Sequence, residues 1–374
     1  MKFKIILIVL IILLVLCVLA TALVGYSNLR YTSQNAVLKY ISQHPADIAV
    51  ACFNPANPQA GFYHNTDQAY PLASTFKAVI LLGYAEQVAA GVLDPQQEIP
   101  LTALDAYYLP GTDGGAHPEF LKTLGEGRTS LTLAEAVDGM MTYSSNAAAD
   151  YVLSRLETVD WDGLYRRLGL TQTSLPHSYL GLYLYINNHE TGIYDMTSLG
   201  PEATLAEQVR LEQLFVTDPA WREVELIYVA NYTNQAGLDV QKDATANFGV
   251  RSSADDLAKI MLALYDAQNE SLSPAAREVA RQYLEWPMRL NPDNAKTFKT
   301  LAVKGGSWPA VLTSAWYAEP LDAEPRILVV LYRNMPDDFW NAWVAGFSQQ
   351  MLEVNVLTTA NCDLYADALA PTAP

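Results

Sequence analysis

The chain has 374 residues, enough for one large domain or two small ones. Hydrophobic residues make up 51% of it, so its composition supports a sizeable core. A net charge of −17 argues against nucleic acid and against peripheral binding to acidic lipid, so any positive site must be local.

Lys2 and Lys4 precede an apolar run from Ile5 to Val24. About 20 such residues are just enough to span a bilayer as a helix. Residues 1–24 therefore read as a signal-anchor in the cell membrane, single-pass, with the two lysines in the cytoplasm and the rest outside. Ala20-Thr21-Ala22 also resembles a signal-peptidase site, which would make the chain secreted after cleavage. Residues 25–34 read as a linker. Beyond the apolar run the cysteines are Cys52 and Cys362, and the sequence leaves open whether they pair. No two of the five histidines have the spacing of zinc ligands, so neither a metal nor another cofactor is expected.

A helix is expected over Ala36–Ile41, then a hairpin of strands Asp47–Phe53 and Gly61–His64 around the turn Asn54–Pro58. Ser74 heads the apolar run Ala78–Leu82, a helix that should stop near Gly91. From 92 to about 290 the pattern is helical. A capping box, Thr132-Leu133-Ala134-Glu135, opens one helix through Met141, and another starts at Asn146. Ser253 caps a helix through Leu264, and Ser273-Pro274 opens the next. Strands return at Thr300–Val303, Thr313–Tyr317 and Ile327–Tyr332. Asp338–Leu352 reads as one amphipathic helix, and 355–374 as a loose tail. Strands at both ends with helices between them predict an α+β fold, an antiparallel sheet built from both termini beside a helical lobe.

The chemistry is concentrated in three short stretches: Ser74-Thr75-Phe76-Lys77, Ser144-Ser145-Asn146 and Lys304-Gly305-Gly306-Ser307. A free serine hydroxyl is a poor nucleophile and needs a base. A lysine three residues on along a helix turns its amine toward that hydroxyl. Burial beside a helix N-terminus lowers the pKa of such an amine. The plain alternatives are an N-cap serine followed by a solvated lysine, a capping Ser145 or Asn146, and a Gly-Gly turn before Trp308-Pro309.

The ordered set of S-x-x-K, S-x-N and K-x-G resembles the class A β-lactamase and penicillin-binding superfamily. The resemblance covers about residues 35–354, with 197–247 as an insertion. It implies that Ser74 is acylated, Lys77 is the base and Ser144 relays a proton to the leaving nitrogen. It further implies that Asn146, Lys304, Gly306 and Ser307 bind the substrate. The Ser74 and Ser307 N–H groups would stabilise the oxyanion. Substrates would be β-lactams or peptidoglycan-type peptides ending in D-Ala. An esterase or amidase, or a penicillin-binding sensor with little turnover, are the alternatives. Two departures stand out. Gly305 replaces the usual Thr or Ser, so a hydroxyl contact to the substrate carboxylate is missing. The stretch Thr171–Leu180, where class A enzymes carry a deacylating Glu, has no acidic residue; Glu190 is the nearest candidate, and Tyr179 or His177 would face the site.

Overall fold

In the computed structural model, residues 31–194 and 201–370 are described. The proposed anchor lies outside them, and no helix among the described residues is long and apolar enough to cross a membrane.

Helix α1 (Gln34–Gln43) is capped by Ser33, which accepts from Ala36 N, so it begins within the expected linker. The hairpin follows as β1 (Ile48–Asn54) and β2 (Asn57–His64). After the helical lobe come β3 (Phe298–Trp308), β4 (Val311–Pro320) and β5 (Arg326–Tyr332). The sheet runs β2-β1-β5-β4-β3, every neighbour antiparallel, so the two termini meet where β1 pairs with β5. Val50 lies opposite Val330, and Lys304 opposite Ala315.

Both faces of the central strands are buried, and the two-residue alternation sorts their side chains. Ala49, Ala51, Phe53, Val329 and Leu331 face the helical lobe. Val50, Cys52, Leu328, Val330 and Tyr332 face α1 and the C-terminal helices. The expected single last helix is two: Phe347 takes the left-handed region at φ +51 and breaks it into Asp337–Gly346 and Ser348–Thr359. The expected loose tail contains the end of that second helix and a further one, Asp363–Leu369. These helices bury Leu352, Val356, Leu357 and Tyr365 against the sheet, an apolar spacing that Pro and Ala near the terminus obscured. Cys52 and Cys362 are joined in a disulfide, with Cα atoms 5.8 Å apart.

The helix expected through Met141 is α-helical only over Leu133–Asp138 and finishes in a wider π-type turn, Gly139–Tyr143. Its capping box is present. The stretch read as an insertion holds helices Pro201–Thr217, Pro219–Ala230 and Leu238–Phe248.

Candidate active site

Ser74 lies in a tight 3-10 turn, Ala73–Phe76, and Lys77 is the first residue of the helix Lys77–Ala89. That helix is buried all round from Lys77 to Ala85, so the apolar run that follows the motif draws the lysine into the core. Ala73 precedes the serine at φ +47, a left-handed conformation that costs a non-glycine residue about 1–2 kcal/mol. Such strain is concentrated at sites where the surrounding structure holds the backbone in place.

Lys77 Nζ lies 2.8 Å from Ser74 Oγ, 2.7 Å from Ser144 O and 2.7 Å from Asn146 Oδ1. Burial pushes its pKa well below the ordinary lysine value, and the nearby Lys304 adds to this; Asp113 and Asp150 oppose it. A neutral amine has two N–H groups and one lone pair. The two carbonyl oxygens take the N–H groups, which leaves the lone pair facing the Ser74 hydroxyl. This is the geometry that general-base activation of a serine requires.

Ser144 follows the π-type turn and sits at φ +69. Its Oγ lies between two lysine amines, 3.3 Å from Lys77 Nζ and 3.0 Å from Lys304 Nζ. A hydroxyl so placed can pass a proton from one side to the other. Ser145, which stands where the resembled family often has Asp, points away from the cleft. Its Oγ accepts from Ala148 N and lies 2.9 Å from Nδ1 of the buried His117, whose Nε2 lies 3.0 Å from Asp105 Oδ1. Asp113 completes the clamp, accepting from the backbone N–H groups of Gly115, His117 and, at 3.4 Å, Asn146. Capping and site-building therefore coexist in the Ser144–Asn146 turn.

The edge strand β3 closes the other side. An edge strand keeps one row of backbone groups unpaired, available to an extended ligand. A Cβ on Gly306 would lie 2.5 Å from Leu72 O, 2.6 Å from Thr75 N and 2.7 Å from Ser74 N, so only glycine lets the strand reach the nucleophile turn. Thr313, opposite Gly306, donates to Leu72 O at 2.6 Å and lies 2.8 Å from Thr75 Oγ1, which locks strand and turn together. Lys304 is almost fully buried, and burial pushes its pKa down to about 7. Ser74, Ser144, Asn146, Lys304, Gly306 and Ser307 all line one cleft of about 640 Å³. Lys77 lies beneath its floor, fully buried.

The stretch Thr171–Leu180 reaches the site through Tyr179. Its ring centroid is 4.6 Å from Lys77 Nζ, and its hydroxyl donates to O of the strained Ala73 at 3.1 Å. The buried Asp150, on the helix that Asn146 opens, accepts from Tyr179 N at 2.9 Å and Leu180 N at 2.8 Å. Burial, and then the charge of Glu212 from the insertion, push the Asp150 pKa well above the usual carboxylate range. His177 is turned elsewhere, its ring nitrogens against Leu175 O and Phe248 O. Glu190 is an exposed residue that accepts from Arg210 and from Trp221 Nε1, outside the cleft. Among the described residues Asp113 is the one carboxylate in the cleft lining, and its oxygens are engaged by backbone N–H groups.

Sequence reasoning missed Asp113, His117, Asp105 and Asp150. The glycine-rich stretch Gly111–Gly115 around Asp113 was a signal for a special loop; the other three carried none. Among the described residues no group of three or more His, Cys, Asp or Glu is arranged to hold a metal.

Residues 32–339 match the model of a family described as the beta-lactamase enzyme family. No curated protein matches the chain by sequence. Among solved structures, a β-lactamase from Sphaerobacter thermophilus aligns over 86% of this chain and 97% of its own at 17% identity, with a TM-score of 0.52. A reconstructed class A β-lactamase of the last common ancestor of Gram-negative bacteria aligns over 86% and 99% at 16% identity, with a TM-score of 0.51. At these identities the likeness speaks for the fold, an α+β sheet with a helical lobe.

Proposed function

Since the chain belongs to the beta-lactamase enzyme family, we propose that it is a serine hydrolase that opens β-lactams or D-Ala-ended cell-wall peptides through an acyl-enzyme on Ser74. The observation that carries this reading is the position of Lys77 Nζ, buried and 2.8 Å from Ser74 Oγ with its N–H groups directed to Ser144 O and Asn146 Oδ1. Lys77 takes the Ser74 proton as Oγ attacks the carbonyl carbon. The oxyanion forms against the N–H groups of Ser74 and Ser307. Ser144 Oγ, between Lys77 and Lys304, delivers a proton to the departing nitrogen. Lys304 supplies the cation for the substrate carboxylate. A labelled penicillin should attach to Ser74 and fail to attach to the Ser74→Ala variant; labelling that survives the substitution refutes the assignment.

Hydrolysis of the ester is the slow half. Tyr179, a group that cannot serve as a carboxylate base, stands against Lys77, and burial raises its pKa well above the ordinary tyrosine value. This favours behaviour close to that of a penicillin-binding protein, with an acyl-enzyme that outlives its formation by far. The catalytic part is placed outside the cytoplasmic membrane, a reading supported by the apolar run Ile5–Val24 and by the Cys52–Cys362 disulfide. Protease added to intact cells should cut beyond Arg30; full protection with a cytoplasmic signal contradicts this placement.

A further inference from the structure

The family match ends at residue 339, and one wall of the cleft is built from the residues that follow it. Phe347, at φ +51, turns the chain sharply between the helices Asp337–Gly346 and Ser348–Thr359. That turn brings the start of the second helix over β3. Gln350 Nε2 comes to 3.8 Å from the point where a Cβ on Gly305 would lie. Gln349 and Gln350 line the same cleft as Lys304, Gly305 and Ser307. The helix they open is 12 residues long and no side chain caps it. Gln349 is 8% exposed, and its Oε1 is buried with no hydrogen-bond partner. A buried amide oxygen without a partner costs free energy comparable to a lost hydrogen bond. An orphan acceptor of this kind, in the wall of a cleft, calls for a donor as its missing partner, a bound water beside the ligand and not the carboxylate itself.

Gly305 itself lacks the hydroxyl that would hold a substrate carboxylate. A side-chain amide donor stands in van der Waals contact with the place such a residue would occupy, beside a buried lysine and an uncapped helix start. We propose that Gln350, with Gln349 behind it, completes the subsite that holds the substrate's carboxylate against Lys304, in place of the hydroxyl absent at Gly305. This rests on the serine-hydrolase reading above. Gln350 Nε2 donates to the carboxylate, the positive end of the helix favours its charge, and the anion in turn keeps Lys304 protonated.

The test compares two probes on the whole extracytoplasmic chain: penicillin G, which carries the carboxylate, and its methyl ester, which does not. Gln350→Ala should slow acylation by penicillin G about tenfold or more, as loss of a hydrogen bond to a charged group does, and leave the methyl ester within about twofold by the same reasoning. Room exists to restore the hydroxyl, because the nearest atoms to a Cβ at Gly305 are Thr313 O at 3.7 Å and Gln350 Nε2 at 3.8 Å. Gly305→Ser added to Gln350→Ala should therefore recover part of the penicillin G rate. If Gln350→Ala slows both probes alike, or neither, the subsite is wrong while the hydrolase reading stands. If the unmodified protein reacts with neither probe, the hydrolase reading falls and takes the subsite with it.

Discussion

On the Ser74 side of the cleft, the groups nearest the nucleophile can exchange a proton: Ser74, Lys77, Ser144 and Lys304 follow one another at hydrogen-bond distance. On the Tyr179 side, the polar groups are committed to holding backbone. Tyr179 donates to Ala73 O, and Asp150 accepts from Tyr179 N and Leu180 N. The first side has the groups that the proposed acylation of Ser74 would use. The second sets an aromatic ring, that of Tyr179, against Lys77. On the proposed reading, the two steps of a hydrolysis depend on separable parts of one fold, and this chain keeps the parts for the first.

The largest effect is expected from breaking the first side. Among the described residues Lys77 is the amine within hydrogen-bond distance of Ser74 Oγ, so Lys77→Met should slow acylation by about a hundredfold or more, the usual cost of losing a general base. Stopped-flow or labelling kinetics with a penicillin check this; near-normal acylation at neutral pH would mean that another group takes the proton.

A smaller effect probes the second side. The Asp150 pKa is raised in the folded protein, so the folded state holds a proton that the unfolded chain has lost at the same pH. The stability tied to that proton is complete below the ordinary aspartate value of about 3.9 and is lost as pH rises toward the raised folded value. Asp150→Asn keeps an acceptor for the backbone N–H groups and removes the titration. Denaturant melts across this range should show stability falling less steeply with rising pH in the variant than in the parent. Identical slopes would mean that Asp150 is ionised in the folded state and that its tie to Glu212 is weak.

The Ser74 side was legible in the sequence because its residues are close in the chain or bound to strong local patterns. Ser74 and Lys77 share one turn, Asn146 opens a helix, and Gly306 sits on a strand bounded by recognisable apolar runs. The apolar run Ile327–Tyr332 also exposed β5, and the capping box exposed the helix at Leu133. What stayed hidden was set by tertiary contact. His117 and Asp105 matter only because Ser145 comes to lie beside them, across a sequence distance that carries no periodic signal. Phe347 gave no sign of a break, since a bulky residue at positive φ runs against local preference and is imposed by the packing around it. The end of the Ser348–Thr359 helix and the helix Asp363–Leu369 were read as tail because Pro and Ala near the terminus outweighed the apolar residues Val356, Leu357 and Tyr365. The disulfide was undecidable in the sequence, and is decided by the sheet that brings Cys52 to Cys362.

The lifetime of the acyl-enzyme tests the contrast most directly. Mixing the protein with one equivalent of penicillin and following its intact mass gives formation and decay in one experiment. A missing general base slows the decay by about 10²–10⁴-fold relative to a complete hydrolase. The adduct should form on Ser74 and persist for minutes or longer, with a Ser74→Ala control that stays at its starting mass. An adduct that vanishes as fast as it forms, with steady turnover of a chromogenic β-lactam, would contradict it.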